Sequence, residues 1–358
     1  MPAFRTGTVT TVLSERPGLQ RVEVELGSGP EKAYVLPQLT GSVAAGDRVV
    51  VNTTAVELGL GTGGWHFVHW NLERDEWSER GPGHILKARY TSLQSDVGST
   101  EEHLDTATAA RNTIEGMPVV AAALHSQLPA VAVTIRALRP TARIAYVMTD
   151  GAALPLALSD VVADLRERSL LDATITCGHA FGGDYEAVNV FSALFVARHV
   201  ALADVAIVVM GPGIVGTNST LGFTGIEVGS VLDATEGLGG VPIACLRASF
   251  ADPRDRHRGV SHHTLTTLTV ATRSRVVVPI PAVDPAVEQQ LRADLIAAGI
   301  DARHDLTAIA IPDVLALFAE HGLSISSMSR PAAEDPVLFQ CGAAAGAASV
   351  IRIAEHMP

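Results

Sequence analysis

The sequence predicts an α/β protein: a small N-terminal β-barrel-like domain followed by a doubly wound, mostly parallel sheet domain with a helical C-terminal tail. Two patterns along the 358-residue chain support this prediction. Short alternating apolar runs fill roughly the first 90 residues, and longer apolar runs separated by helix-length segments follow residue 118. We therefore expect a β-rich barrel or sandwich at 1–90, a connector at 91–117 and an α/β domain at 118–358.

The N-terminal β domain is predicted from alternation and turn residues. The segments 8–13 and 20–26 alternate apolar and polar side chains and flank the turn residues Pro17 and Gly18, and a further short run follows at 46–52. Short strands at close spacing are typical of a small barrel or sandwich. The aromatic segment 65–70 (WHFVHW) is expected to be one strand of the barrel wall rather than a set of ligands.

The α/β domain is predicted from six apolar runs that have the length of buried strands. They are 118–124, 143–148, 173–177, 204–210, 242–247 and 275–280. Amphipathic segments such as 155–168 and 187–202 lie between them, as the helices do when a parallel sheet is covered on both faces. Helices are also expected near 285–298, 312–321 and 336–352, where they form the tail.

The composition excludes some classes of function. Lys+Arg number 26 against 38 Asp+Glu, a formal net charge of −12, which disfavours a general binder of nucleic acid or of an anionic membrane. A local basic patch is still compatible with that total. The three cysteines are widely spaced and no apolar run reaches membrane-spanning length, so we expect a cytoplasmic protein with no membrane partner. The hydrophobic fraction of 47% is compatible with a homo-oligomer.

Polar residues concentrate directly after the predicted strands of the α/β domain. His125, Asp150 and His179 each follow one strand, and the Gly-rich segment 211–220 and the charged segment 249–263 follow two others. The carboxyl ends of parallel strands lie at one edge of a sheet, where ligands bind in the crevice. The sequence therefore predicts a site at this edge that binds a small molecule.

The Gly-rich segment is predicted to cradle an anion through its backbone N–H groups. It matches G-x-G-x-x-G, but the loop continues to residue 225 and its strand is the fourth of the domain, unlike a dinucleotide fingerprint. Position 217 is Thr where a phosphate-binding P-loop has Lys. The predicted ligand-binding residues are His125, Gly211, Gly213, Gly216, Asn218 and Arg258.

Acid–base residues are predicted at the same edge of the sheet. Asp150, His179 and His262 are the candidate catalytic residues, because carboxylates and imidazoles transfer protons near neutral pH. A divalent metal is an open alternative, with His179, His262 and Asp184 as candidate ligands, although no H-E-x-x-H pattern supports it. The adjacent side chains of His262 and His263 are not expected to face one ion together.

Several motifs resemble those of a known family. They are 146–155 (YVMTDGAALP), 178–184 (GHAFGGD), 211–213 (GPG) and 256–263 (RHRGVSHH). In this order they resemble the bacterial domain of unknown function family thirty-eight sixty-six, over nearly the whole chain. The resemblance implies a cytoplasmic bacterial protein and supplies neither an activity nor a catalytic residue.

The sequence leaves three functional hypotheses. The preferred one is an enzyme, a hydrolase or transferase, that acts on a small anionic substrate such as a phosphorylated one. The second is a non-catalytic sensor or scaffold that binds a small molecule while the β domain contacts a partner. The third is a nucleotide-dependent oxidoreductase, and it depends on the G-x-G-x-x-G match alone.

Overall fold

A computed structural model describes residues 2–60 and 63–356. The chain divides into two compact units, residues 1–98 and 99–358, and each is described separately below. The predicted fold class is confirmed: a closed barrel comes first, followed by an α/β unit with a parallel sheet and a C-terminal helix.

Within the described part of unit 1, five strands close into a barrel in the order β1-β2-β3-β5-β4. β3 and β5 are parallel, whereas the other paired strands are antiparallel. Two short helices and a short hairpin complete the unit. The elements are β1 (Phe4–Arg16), β2 (Leu19–Glu25), β3 (Pro30–Val35), α1 (Pro37–Thr40), β4 (Arg48–Asn52), α2 (Thr54–Glu57), β5 (Trp65–Asn71), β6 (Leu86–Lys87) and β7 (Ser95–Asp96).

The barrel closes because β1 is long and irregular. Its pairing register with β2 shifts between Val9 and Thr11 and again between Val12 and Ser14. Such irregularities bend a strand and increase its twist, so that its first half can pair with β4 while the rest pairs with β2. Alternation then places valines of every barrel strand inside, and Arg21, Glu23 and Glu25 of β2 outside.

Unit 2 alternates strands and helices, as the apolar runs predict. Its elements are α3 (Thr106–Ala109), β8 (Pro118–Ala121), α4 (Leu128–Leu138), β9 (Ile144–Met148), α5 (Asp160–Glu167), β10 (Ala173–Thr176), β11 (Tyr185–Glu186), α6 (Val190–His199), β12 (Val205–Val208), α7 (Glu227–Gly237), β13 (Val241–Ala244), β14 (Ala248–Ser249), β15 (Gly259–Val260), α8 (His262–Thr266), β16 (Val277–Pro281), α9 (Pro285–Ala297), β17 (Asp305–Ile309), α10 (Val314–Glu320), β18 (Ser326–Ser327), β19 (Arg330–Pro331) and α11 (Pro336–His356).

Eight of these strands, counted over the described residues, form one parallel sheet in the order β11-β10-β9-β12-β8-β13-β16-β17. Each face of the sheet has its own hydrophobic core. On β9, Tyr146 points to the core built with α4, α5 and α11, and Val147 points to the core built with α6, α7 and α9. Both faces are therefore covered, which explains why the central strands are continuously apolar.

The Ala-rich helix α11 packs closely against α4. A Cβ on Gly342 would lie 2.8 Å from Ala130 Cβ, and one on Gly346 would lie 2.8 Å from the Val131 carbonyl oxygen. Helix α11 is long and apolar enough to cross a membrane, yet 72% of its apolar window is buried inside the unit. This burial is typical of a core helix.

Candidate functional site

A cavity of about 250 Å³ lies at the carboxyl-end edge of the sheet, where the segments after β12 and β13 meet. We call it the arginine–histidine cavity. Among the described residues that line it, none is acidic. They are Ile214, Val215, Gly216, Thr217, Arg247, Arg254, Arg256, His257, His263 and Met328.

Arg247 is the most buried cation of this cavity. It lies three residues after the end of β13, and it is only 4% exposed. Nη1 donates a hydrogen bond to Nδ1 of His263 over 2.9 Å, and Nη2 lies 3.7 Å from the Met328 sulfur. No carboxylate of the described chain forms an ion pair with it. Burial, with the nearby positive charge of Arg254, lowers the pKa of Arg247 to about 10, so the guanidinium stays charged at neutral pH.

The nearby carboxylates are bound to other arginines. Asp252, buried, accepts two hydrogen bonds from Arg254, at 2.9 and 2.8 Å, and a longer one from Arg330 at 3.4 Å. Asp335, also buried, accepts from Arg330 at 3.1 Å and from the Ser249 hydroxyl at 2.8 Å. The hydrogen bonds from Arg254 hold the pKa of Asp252 well below its usual range. This network leaves Arg247 without a carboxylate bonded to it, and Asp252 acts on its charge only at longer range.

A second arginine of the cavity is held by a neutral partner. Arg256 donates from Nη1 to Oδ1 of Asn218 over 3.0 Å, and both residues are exposed. Gly216 lines the cavity nearby, and a Cβ there would lie 3.3 Å from Phe223 Cβ and 3.7 Å from His263 Cε1. The Gly-rich loop thus reaches the cavity through Gly216, and its Asn218 orients the guanidinium of Arg256.

Three histidines cluster beside the arginines. A ring nitrogen from each of His257, His262 and His263 lies within 4.8 Å of the others. His262 and His263 thus lie closer together than the expectation that they would not face one ion together implies. They are the first two residues of the short helix α8, and their ring centroids lie only 4.2 Å apart. His262 Nε2 is buried and has no hydrogen-bond partner among the described residues.

The hydrogen bond from Arg247 decides what His263 can do. An arginine N–H can only donate, so Nδ1 of His263 must accept. In a neutral imidazole the proton then lies on Nε2, which makes that nitrogen a donor and not a metal ligand. The same arginines create a positive potential that opposes a cation. The cluster therefore fits an anion better than a divalent metal, although it contains metal-ligating residue types.

The environment keeps the histidines neutral. Burial first, and then the charge of Arg247, lower the pKa values of His257 and His263 to about 3. Burial and the charge of Arg256 also lower the pKa of His262. At neutral pH the rings of His257 and His262 are therefore uncharged, and the cavity's positive charge comes from its arginines.

None of the three predicted catalytic residues is in the described lining of the arginine–histidine cavity: His262 lies beside it in the histidine cluster, whereas Asp150 and His179 lie elsewhere at the sheet edge. Asp150 accepts a hydrogen bond from the backbone N–H of His179 over 2.8 Å. Asp150 also lies near Glu227, whose carboxyl accepts a hydrogen bond from the Thr149 hydroxyl. Burial raises the pKa of Glu227 to about 7. This group is a separate acidic cluster at the same sheet edge.

His125 has structural partners on both ring nitrogens. Nδ1 lies 3.0 Å from the Met210 carbonyl oxygen and therefore donates to it, and Nε2 lies 2.7 Å from the Ser159 hydroxyl. That hydroxyl also caps α5 by accepting from the backbone N–H of Val162. Burial lowers the pKa of His125 to about 4. The residue joins the loops that follow β8, β9 and β12.

Asp184 is engaged at the outer edge of the sheet. Its carboxylate accepts from the backbone N–H and hydroxyl of Thr174, at 2.9 and 3.0 Å, and pairs with Arg166. The structure does not bring it together with His179 or His262 in the one cluster of metal-ligating groups found among the described residues. Gly211, Gly213 and Arg258 are also not part of the described cavity lining.

The G-x-G-x-x-G segment does not have the geometry of a dinucleotide fingerprint. Helix α7 begins only at Glu227, after a 3₁₀ turn at Thr224–Ile226, so no helix N-terminus follows Gly216 directly. The Gly-rich loop instead folds on itself, with Thr217 N–H donating to the Gly222 carbonyl over 2.7 Å. This loop geometry does not support a nucleotide-dependent oxidoreductase.

The sequence predicts the neighbourhood of the cavity better than its individual residues. Arg256, His257 and His263 lie in the charged segment 249–263 expected at this edge, but neither they nor Arg247 are among the individually predicted site residues. One signal was present: Arg247 is the only charged residue of the apolar run 242–247 (PIACLR) and stands at its end. A charge that ends a buried strand lies at the ligand-binding edge of a parallel sheet.

A family model described as "Protein of unknown function (DUF3866)" matches residues 32–346. The match covers every motif that carries the resemblance described above. No curated protein and no solved structure gives a significant match to the chain.

Proposed function

Since the chain belongs to the family described as "Protein of unknown function (DUF3866)", we infer its role from its own residues. We propose that it is an enzyme, a hydrolase or transferase, that binds a small anionic substrate in the arginine–histidine cavity. The observation that carries this proposal is that the buried guanidinium of Arg247 is bonded to no carboxylate of the described chain. A buried charge without a partner is costly unless a ligand supplies the opposite charge.

The polarity of the cavity supports an anion. Arg247 and Arg256 provide guanidinium groups that bind phosphate or carboxylate oxygens in pairs. Nε2–H of His263 is a further donor, fixed by the hydrogen bond from Arg247 to Nδ1. Ile214, Val215 and Met328 form an apolar wall for the uncharged part of a substrate. At about 250 Å³ the cavity is smaller than most drug-sized ligand sites, so the substrate is small.

His257 is the acid–base residue that this arrangement favours. It lines the cavity, and its Nδ1 is fixed 2.7 Å from the Ser261 hydroxyl. A bound anion offsets the arginine charges and raises the pKa of His257 from its lowered value, which brings it closer to the working range of a general acid or base. His262 packs against His257 with ring centroids 5.0 Å apart and supports this ring. Asp150 and His179 remain candidates for a second contact with substrate.

The test is turnover by matched variants. Phosphate release from p-nitrophenyl phosphate and a panel of small phosphomonoesters is measured with the wild-type protein, His257→Asn and His199→Asn. We expect His257→Asn to lower kcat about 100-fold or more while binding is retained. His199, which bonds the Thr113 carbonyl away from the cavity, is the matched control and is expected to have no effect.

Other outcomes separate the hypotheses. Binding of an anion that is lost in Arg247→Met, without turnover of any substrate in the panel, would favour the sensor. Turnover that is unaffected by His257→Asn would contradict the assignment of His257. If the protein neither binds anions nor turns over any substrate in the panel, the proposal is refuted.

A further inference from the structure

The barrel of unit 1 keeps its aromatic residues outside its core. The chain has only three tryptophans, Trp65, Trp70 and Trp77, and all of them lie in this unit. The described barrel core instead consists of valines and an alanine. Aromatic side chains normally contribute strongly to a core because of their large apolar area. Here they are not needed to fill the barrel, so their position on its surface needs another explanation.

Three of the aromatic residues form a continuous strip on the outer side of β3 and β5. Tyr34 stacks on Trp65 with ring centroids 4.6 Å apart and an interplanar angle of 16°. Tyr34 also contacts Phe67 at 5.5 Å, and the strand register places these two residues side by side. All three side chains are half-buried. We call Tyr34, Trp65 and Phe67 the aromatic face.

Two cations border the aromatic face. Arg21, opposite Tyr34 on β2, has its Cζ 5.7 Å from the Tyr34 centroid and 5.9 Å from the Trp65 centroid. Lys32 Nζ lies 5.5 Å from the Trp65 centroid. Glu23 is paired opposite Lys32, whereas Glu31 is bonded to His66 at 2.7 Å. The outward charges of β2 and β3 balance, with Arg21 and Lys32 against Glu23 and Glu25, but the two groups that approach the rings themselves are both cations.

We propose that the aromatic face binds single-stranded nucleic acid, with bases stacking on Trp65, Tyr34 and Phe67 and phosphates near Arg21 and Lys32. The closed barrel order β1-β2-β3-β5-β4 is that of the OB-fold, which binds oligonucleotides on its second and third strands. Arg21, Lys32 and Tyr34 lie on those two strands, and Trp65 and Phe67 extend the face onto the neighbouring β5. Stacking on aromatic rings beside basic groups is how such barrels hold single strands without reading their sequence. The net charge of −12 argues against binding over the whole surface, and this face is local.

The test uses the full chain and fluorescein-labelled oligo(dT) and oligo(rU) of 12 nucleotides, with binding measured by fluorescence anisotropy at 50 and 200 mM salt. The variants are Trp65→Ala, Trp65→Phe, Lys32→Ala and, as a matched control, Trp77→Ala. Trp77 is 39% exposed and contacts Arg74 rather than the aromatic face. Circular dichroism melting checks that each variant is folded.

We expect Trp65→Ala to weaken binding at least fivefold, since stacking one base on an aromatic ring contributes about 1–3 kcal/mol. Trp65→Phe retains a ring and is expected to restore most of the affinity. Lys32→Ala is expected to weaken binding and reduce its salt dependence. Trp77→Ala is expected to bind as the wild type does. If no oligonucleotide binds at 50 mM salt, or if neutral oligosaccharides bind instead, the proposal is overturned. Equal losses in Trp65→Ala and Trp77→Ala would also overturn it.

Discussion

Replacing Arg247 by Met is expected to stabilise unit 2 while it strongly weakens anion binding. Methionine has a similar length, carries no charge and packs well in irregular apolar sites. The pKa of Arg247 falls from 12.5 in water to about 10 in the fold. This lowered pKa corresponds to a cost of about 3 kcal/mol for holding the charged form at its 4% exposed position.

The substitution also loses the hydrogen bond from Arg247 to His263, which contributes about 1 kcal/mol. The net gain in the free energy of unfolding is then about 1–3 kcal/mol in a buffer without phosphate or sulfate. For a unit of this size we expect the melting temperature to rise by roughly 5 °C. A saturating anion is expected to stabilise the wild type and not the variant, and so to narrow or reverse the difference.

The assay is thermal unfolding followed by two signals. Because all three tryptophans lie in residues 1–98, their fluorescence reports on unit 1. Far-UV circular dichroism at 222 nm reports mainly on unit 2, which contains the long helices. The matched control is Arg254→Met, which leaves buried Asp252 with the longer contact to Arg330 as its only side-chain ion pair, beside a backbone hydrogen bond from residue 254, and is expected to destabilise unit 2 by about 1–3 kcal/mol. If Arg247→Met is destabilised as much as Arg254→Met, the charge of Arg247 is compensated and our reasoning is refuted.

Four further predictions concern other polar groups of unit 2. The pKa of His125 is lowered to about 4 in the fold, so between about pH 6.5 and 4 the unfolded chain binds a proton on this residue that the folded chain does not. The free energy of unfolding is therefore expected to fall as the pH drops through this range. In urea titrations, His125→Gln should flatten that part of the pH–stability curve. The pKa of Glu227 is raised to about 7, so the free energy of unfolding falls as the pH rises from about 4.5 to 7. At pH 8, Glu227→Gln should be more stable than the wild type by on the order of 2 kcal/mol. An unchanged or lower stability of this variant would contradict the raised pKa. Asp184→Ala should destabilise unit 2 by about 1–3 kcal/mol without changing the affinity for phosphate. If the wild type binds a metal and this variant does not, Asp184 is a metal ligand after all. Elemental analysis of the purified protein should find no stoichiometric divalent metal bound to the histidine cluster; zinc near one equivalent, lost in His262→Ala, would contradict the tautomer assigned to His263.

The fold could be predicted because the strands of both units show the expected pattern of apolar and polar side chains over their whole length. The central strands of unit 2 are apolar on both sides since helices cover both faces of the sheet, and nothing in those runs competes with that interpretation. The barrel could be predicted as a class, but its order β1-β2-β3-β5-β4 depends on which strands meet across loops. Strand alternation alone does not specify this.

The location of the candidate site could be predicted better than its residues. The rule that ligands bind at the carboxyl ends of parallel strands indicates the sheet edge where the arginine–histidine cavity lies. It does not distinguish Arg247, which lies in the cavity, from Arg258, which is exposed and outside its lining. That distinction depends on which arginines the buried carboxylates Asp252 and Asp335 neutralise, and those pairs join residues up to 78 positions apart.

The histidine residues show the same limit. His125 and His262 both follow predicted strands, yet His125 has structural partners on both nitrogens and His262 has a buried free one. Whether a histidine binds a metal or an anion depends on the group that contacts its other nitrogen. For His263 that group is Arg247, 16 residues earlier in the chain.

The central claim is that the arginine–histidine cavity binds an anion through Arg247. Isothermal titration of the full chain with inorganic phosphate, in a buffer without other multivalent anions, tests it most directly. We predict one site per chain in the wild type and an affinity at least 30-fold lower in Arg247→Met, because losing one partner of a buried charge pair costs about 2–5 kcal/mol. No heat of binding with the wild type, or equal affinity in Arg247→Met, would contradict the claim.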